Sequence, residues 1–572
     1  MKPASKNILF GFLFIISVAT LLPVLGLTHL YTDKEAQEAI LTVNTLKSDS
    51  PFIPLENEEG IVRPPMFYWT NMLMTKIFHQ GVVNEYTIRL SSAIAAIIIA
   101  LAMFRFYSRR NDNYNTAFFS SIIFLSAFEV HRSAITAQSD MVFTVFVTLA
   151  LFQLYRWYEK KAKGIPLWAI LFISAAALTK GVAGILLPCL IIGLFFGLRR
   201  ESFFRIGYKI VAIALASCLL PAVWYYITCK ETGAGVLDQI TIAHFYEPLN
   251  HISFPSSLDF LYSIFIGFLP WTLLILFSLF ALIHKRRINP DKEQKIFSGR
   301  LFTENPSRLF FLSATGIILL FYLLFEESTS TRIIPIYPFL SIFLAEYMHH
   351  LIEERRKTWR AFGIVLSAIS GLFFVLFIGV KAGWLDRWIP ANLTRYLIDF
   401  KSWNLWDVIC LVFLLIFLYK AYKSHDIQSI SNRYPYSIIL LFWGVQLTID
   451  TALLPDIFNR NSDYLLVQQV KNSSVSEESV YTYADSRIGN SSVIRFYLQS
   501  QMKDFKELQP EEGYLLIEEQ EYKNIEVTYS ATYNFETVWK NEEECTDDSS
   551  IACLYHFSRK PIENDMTPPL SN

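Results

Sequence analysis

The sequence predicts an α-helical polytopic membrane protein, with about thirteen transmembrane helices followed by a soluble C-terminal α/β domain. Three observations predict it. Hydrophobic residues make up 53% of the 572 positions and charged residues only 18%, and the mean hydropathy is +0.33; soluble globular domains carry about 25% charged residues. Apolar runs long enough to cross a bilayer core of ~30 Å recur along the first four fifths of the chain. Basic residues cluster in alternate connections between these runs. The net charge of -1 gives no electrostatic reason to expect nucleic acid.

The runs lie near 7–27, 86–107, 114–131, 139–158, 165–180, 181–198 and 207–227, then near 259–284, 307–326, 332–352, 360–383, 404–423 and 435–455. Lys2 and Lys6 ahead of the first run resemble the start of a signal peptide. No small-residue cleavage site follows, so the run reads as a retained helix. Lys180-Gly181 divides the block 165–198 into two spans. With the N-terminus cytoplasmic, the cytoplasmic connections carry Arg105-Arg109-Arg110, Arg156-Lys160-Lys161-Lys163 and Arg199-Arg200-Arg205-Lys209. Lys285-Arg286-Arg287, Arg355-Arg356-Lys357-Arg360 and Lys420-Lys423-Arg433 continue the series. The positive-inside rule then places the C-terminal domain outside the cytoplasm.

This divides the chain into a membrane domain, 1–455, and an extracytoplasmic α/β domain, 456–572. The first outer loop, 28–85, is too long to be a simple connector. Thr32-Asp33-Lys34-Glu35 has capping-box spacing and opens a short helix over Ala36–Leu46. Pro64-Pro65 opens a second, aromatic-rich interfacial helix over Met66–Phe78. In the tail, Val480–Tyr483, Tyr514–Ile517 and Leu554–Phe557 read as strands. Cys189, Cys218, Cys229 and Cys410 sit in or beside spans as packing residues. Cys545 and Cys553 lie in the exported part, where a disulfide is permitted.

Ionisable residues at the outer ends of spans are costly unless paired or used. Asp33, Arg63, Asp140 and Lys180 meet that description and could converge on one outward cavity. Asp33 is placed to orient or deprotonate an acceptor. Arg63, held by two prolines, suits bidentate phosphate contact. Each also has an ordinary structural explanation. Asp33 is a first-turn acid favoured by the helix dipole with Glu35 as capping partner, and Asp140 is an N-terminal cap. Arg63 is an interfacial arginine ahead of a proline-started helix, and Lys180 is a snorkelling lysine. His244, Glu247 and His251 form a weak metal-like cluster of irregular spacing. No glycine loop for a nucleotide appears in the soluble parts.

Taken in order, these residues resemble a known family. Thr32-Asp33-Lys34-Glu35-Ala36 is similar to an acidic first-loop motif, and Arg63-Pro64-Pro65-Met66-Phe67-Tyr68-Trp69 to a Lys-Pro-Pro-Leu-x-Tyr-Trp motif. Asn84-Glu85 through Ala93, Ser139-Asp140, Leu178–Gly184 around Thr179-Lys180-Gly181, Phe268–Thr272 around Pro270-Trp271, and Arg332–Pro338 complete the series. The set resembles the integral-membrane glycosyltransferases of the C-type fold, in the branch containing the aminoarabinose transferases of lipid A and the protein O-mannosyltransferases. Motifs cover about 1–350; the remainder resembles the family in architecture.

The resemblance implies transfer of a sugar, with inversion, from a polyprenyl-phosphate lipid to an extracytoplasmic acceptor such as lipid A, a glycan or a protein. It implies a bacterial inner membrane as the location. Asp33 and Asp140 would be the catalytic carboxylates, and Arg63, Lys180 and Arg332 would hold the donor phosphate. Glu35, Tyr68, His244 and His251 would support them. There are departures. Arg63 stands where the family has Lys, and Val62 where the aminoarabinose enzymes have an acidic residue involved in metal binding. No arginine lies between Leu237 and Tyr262, so His244, His251 or Arg332 would substitute for an expected phosphate contact. The motifs identify no certain cofactor, and participation of a divalent metal stays open. Two rivals remain, a transporter or flippase and a non-catalytic partner subunit of the same fold.

Overall fold

The computed structural model describes residues 6–56, 61–110, 113–201, 203–232, 257–288, 305–324, 330–354, 356–384, 403–424, 434–460, 462–473, 479–483, 486–498, 503–540 and 552–560. They form two compact units. One comprises residues 1–27 with 41–453, the other 28–40 with 454–572. The division falls inside the helix Asp33–Lys47.

The first unit is a helical bundle, with a helix at every one of the predicted apolar runs. Among the described residues seven helices are long and apolar enough to cross a membrane: those within Lys6–Val24, Glu85–Tyr107, Ser139–Glu159, Ile206–Thr232, Pro306–Leu324, Thr358–Lys381 and Ser437–Asn459. Leu167–Lys180 and Ala183–Leu198 are apolar but shorter. Several predicted runs are not single helices. The run 114–131 breaks at Ala127, whose ψ of 131° is extended, into Tyr114–Ser126 and Phe128–Ala134. The run 259–284 breaks before Pro270 into Ser257–Gly267 and Trp271–Ile288, since the residue ahead of a proline disfavours the helical region. Pro335 lies in a 3₁₀ turn, Ser330–Ile336, that precedes the helix Tyr337–Glu354.

A continuous apolar core runs through this bundle. At one end aromatic rings interlock: Phe106 stacks on Phe152 at 4.1 Å and Tyr155 meets Phe310 at 4.9 Å. Arg110 covers Phe106 and donates two hydrogen bonds to Glu159, at 2.6 and 2.5 Å.

Charges inside this apolar bundle are paired. Lys381, ending the helix Arg356–Lys381, donates to Asp407 Oδ2 at 2.8 Å, and Asp407 lies in the first turn of Leu405–Ser424. Their side chains are 0% and 2% exposed. Asp407 also accepts the Asn404 amide, so this carboxylate caps its own helix while neutralising the neighbouring one.

The second unit is an α/β layer structure. Its five-stranded sheet runs in the order Lys503–Asp504, Val480–Thr482, Glu512–Glu518, Ala552–Arg559, Tyr533–Lys540. The first two contacts are parallel and the last two antiparallel. Leu516 and Leu554 pack with Leu466, Val470 and Leu498 on one face. Leu515, Ile517 and Phe557 pack with Phe505 and Ile525 on the other. Burial on both faces explains why the central strand reads as an unbroken apolar run rather than an alternation. All three predicted strands are present; the two edge strands are additional. Cys553 is buried in the sheet, whereas Cys545 lies outside the described residues.

The buried Lys381–Asp407 pair yields a stability prediction. Lys381→Met strands a carboxylate in apolar surroundings and destabilises the protein by about 3 kcal/mol, read as a lower melting temperature in detergent. The double variant Lys381→Met/Asp407→Leu recovers much of that loss.

Candidate active site

The best-defined polar feature among the sequence-predicted residues joins two apolar helices. Asp140 occupies the first turn of Ser139–Glu159, and Lys180 the last turn of Leu167–Lys180. Lys180 Nζ donates to Asp140 Oδ1. The lysine side chain is 22% exposed and the aspartate 11%, so the pair is largely removed from solvent but not sealed. Lys180 also lies over the Phe143 ring, 5.5 Å from its centroid. Asp140 therefore does not cap its own helix; Gln138 holds the cap position without a side-chain bond. Nor does Lys180 merely snorkel. Each charge answers the other.

The sequence around Lys180 makes this geometry local. Gly181 takes φ 60° and ψ -139°, a region open essentially to glycine, and ends the helix directly after the lysine. Three residues on, Gly184 lies so close to the preceding helix that a Cβ there would stand 2.3 Å from the Ala176 carbonyl carbon. Thr179 Oγ donates to the Ala175 carbonyl at 2.8 Å, closing the last turn. The Thr-Lys-Gly segment is thus a tight corner that fixes the cation at its apex.

Arg63 belongs to the same unit as this pair. A two-stranded ladder pairs Leu55 with Val62 and Glu56 with Ile61. The Arg63 amide extends it by donating to the Pro54 carbonyl at 3.2 Å. Pro64 and Pro65 then lead into the helix Met66–His79, with Pro65 at its cap. Arg63 is exposed. Ile53 and Met66, which flank this loop, pack in one cluster with Leu178 from the Lys180 helix and with Trp224. Trp224 Nε1 donates to the Phe52 carbonyl at 3.0 Å. The elements carrying Arg63 and Lys180 are therefore packed neighbours. Tyr68 is buried in the helix that Arg63 precedes.

Asp33 and Glu35 are in the other unit. Thr32 Oγ accepts the Glu35 amide at 3.3 Å, as the capping box predicts, and the Glu35 side chain is buried. Asp33 is exposed, and its Oδ1 accepts the Ser492 amide at 2.9 Å. Arg332 lies in the 3₁₀ turn Ser330–Ile336, its side chain outside the described residues. His244, Glu247 and His251 also lie outside them. Among the described residues no three His, Cys, Asp or Glu side chains gather as a metal-binding group.

Sequence reasoning missed a second charged group. His131 Nε2 and Asp450 Oδ2 are 2.6 Å apart, both side chains nearly sealed from solvent. Two residues before His131, Glu129 accepts from Arg132 at 2.6 and 3.3 Å. A Cβ on Gly267 would meet both Glu129 and the Tyr337 hydroxyl, so a glycine is needed there. The signal was available: Glu129, His131 and Arg132 end a predicted span, the criterion that selected Asp140.

Comparison with known proteins places these features. Residues 62–225, which include Arg63, Asp140 and Lys180, match the dolichyl-phosphate-mannose-protein mannosyltransferase family. ArnT from Cupriavidus metallidurans, crystallised with undecaprenyl phosphate, superposes with a TM-score of 0.69 at 15% identity over 96% of this chain and 98% of that one. Its apo form superposes with a TM-score of 0.68. The fold is that of the C-type integral-membrane glycosyltransferases.

An uncharacterized protein of Aquifex aeolicus (strain VF5) is 28% identical over 361 residues, 61% of this chain and 67% of that one. An undecaprenyl phosphate-alpha-4-amino-4-deoxy-L-arabinose arabinosyl transferase of Shewanella sediminis (strain HAW-EB3) is 22% identical over 459 residues, 76% of each chain. Together these likenesses bear out the resemblance read from the motifs: the chain is similar to the ArnT-like, multi-pass membrane glycosyltransferases.

The corner that presents Lys180 makes a prediction. Gly184→Ala forces two helix backbones apart, costing about 1–3 kcal/mol of stability. A thermal melt of the detergent-solubilised protein reads that loss, and a Gly197→Ala control, where a Cβ meets nothing within 4 Å, leaves the melt unchanged.

Proposed function

We propose that the chain transfers a sugar from a polyprenyl-phosphate lipid to an acceptor at the extracytoplasmic face of a bacterial inner membrane, inverting the anomeric centre. The observation that carries this reading is the Asp140–Lys180 pair at the apex of a glycine-built corner, on an element packed beside the loop of Arg63. A cation fixed in apolar surroundings with about a fifth of its side chain still open, 22% exposed, suits a phosphate better than it suits structural pairing alone.

In the proposed reaction an acceptor nucleophile attacks the anomeric carbon from the side opposite the phosphate. The carbon–oxygen bond to phosphate breaks, and the electron pair leaves on the lipid phosphate. Negative charge grows on that phosphate in the transition state, which is where fixed cations accelerate the reaction most. Asp140 neutralises part of the Lys180 charge and fixes its direction, so Arg63 supplies the additional positive charge. A guanidinium does so through a planar fork, matching two phosphate oxygens at once. Asp33 takes the acceptor proton. Arg332 is assigned a phosphate contact, with His244, His251, Tyr68 and Glu35 in supporting roles. The alternation of basic clusters along the chain supports the N-terminus in the cytoplasm and the site outside.

Mass spectrometry of lipid extracts tests this. Cells lacking the protein, or carrying Asp33→Ala or Arg63→Ala, accumulate a polyprenyl-phosphate sugar while one envelope glycan, lipid or protein loses the matching sugar. Wild type restores both pools. Unchanged pools in all strains would overturn the transferase reading and favour a non-catalytic partner subunit.

A further inference from the structure

The assignment of Asp33 leaves open what holds its carboxylate still, and the second unit offers an answer. Residues 28–40 follow the first apolar helix in sequence, yet they cluster with the C-terminal unit. Their contacts with it are specific and successive. The His29 amide donates to Asn459 Oδ1 at 2.6 Å, and the His29 ring lies 3.9 Å from that of Tyr464. The Leu30 amide donates to the Tyr497 hydroxyl at 2.9 Å, while the Leu30 carbonyl accepts from Ser462 Oγ at 2.9 Å. Tyr31 stacks on Phe458 at 3.9 Å with an interplanar angle of 8°. Asp33 Oδ1 accepts the Ser492 amide.

Four of the five positions 29–33 thus have both backbone groups, a ring or a carboxylate engaged, and the fifth, Thr32, accepts the Glu35 amide. We infer that the C-terminal α/β unit is a positioning element for the reaction: Ser492, Tyr497, Ser462 and Asn459 hold the Asp33 carboxylate in a fixed direction for the acceptor. This rests on the proposed role of Asp33 as the group that takes the acceptor proton. The amide engages one carboxylate oxygen and leaves the second to receive that proton. Orientation matters because a displacement of about 1 Å at a reacting group can cost on the order of a hundredfold in rate.

A backbone donor is removed cleanly at this position. Ser492 is the first residue of the helix Ser492–Leu498, where proline is well tolerated. Ser491 before it has φ -70° and ψ 111°, the extended conformation a following proline requires. Ser492→Pro therefore deletes the amide hydrogen with little change to the helix, and Ser492→Ala keeps it. Tyr497→Phe independently leaves the Leu30 amide without its hydroxyl acceptor while preserving the ring contacts with His29 and Tyr464.

The test uses full-length protein in membranes, with the polyprenyl-phosphate sugar recovered from the deletion strain as donor and membranes of that strain as acceptor. Ser492→Pro lowers kcat about tenfold or more with donor KM within about twofold of wild type; Tyr497→Phe lowers kcat severalfold; Ser492→Ala, which keeps the amide, transfers severalfold faster than Ser492→Pro. Ser492→Pro keeps the wild-type membrane level and melting temperature while kcat falls, which a general folding defect would not reproduce. If Asp33→Asn is inactive while Ser492→Pro and Tyr497→Phe both keep wild-type kcat, the positioning role falls and the transferase reading stands. If Asp33→Asn itself turns over normally, the proton-accepting role falls with it.

Discussion

A charge placed among apolar helices costs several kcal/mol unless a partner of opposite sign is fixed beside it. That constraint organises the membrane unit. Lys180 meets Asp140, Lys381 meets Asp407 and Arg132 meets Glu129, and the Asp450 carboxylate lies 2.6 Å from the His131 ring. Arg89, almost wholly buried, donates to the Leu25 carbonyl at 2.8 Å. The cost and the partner explain one another: a helix end can carry a charge only where the fold returns another to meet it. Lys381–Asp407 is sealed and Lys180–Asp140 is not. The partial opening of the second pair is what lets the proposed function place a phosphate there, whereas the first pair is closed to solvent.

Presentation of that cation depends on backbone, not on the lysine itself. Gly181 turns the chain where other residues are strained, and Gly184 lets the next helix touch the backbone of the last. The loop before Met66 uses proline for the same end. It fixes Arg63 by limiting the chain on both sides, with the short ladder behind and Pro64-Pro65 ahead. Glycine and proline act here as opposite means to one result, a long flexible side chain starting from an inflexible point.

Much of this was legible in the sequence because it is written locally. Apolar runs of membrane length, a capping box at Thr32 and prolines ahead of Met66 each describe a few neighbouring residues. Helix breaks were less legible: Ala127 carries no breaker, and the turn there is made by packing around it. The edge strand Tyr533–Lys540 had a signal in the alternation of Tyr533, Phe535, Thr537 and Trp539 that was not read. The Asp33–Ser492 contact had none. It joins residues 459 positions apart, and the donor is a backbone amide that every residue but proline possesses. Lys180 and Asp140 were each identified, but their partnership, 40 positions apart, emerges only when two helices pack.

The proposed transfer requires Arg63 and Lys180 to form an anion site for a polyprenyl phosphate. Its most direct measurement is retention of undecaprenyl phosphate, used as the probe, by purified full-length protein in nanodiscs under native mass spectrometry. Such a site gives a one-to-one complex for wild type, weakened at least tenfold (about 1.4 kcal/mol) by Arg63→Ala and again by Lys180→Ala, with undecaprenol showing no preference among the three. Equal retention of the phosphate by all three proteins would contradict it.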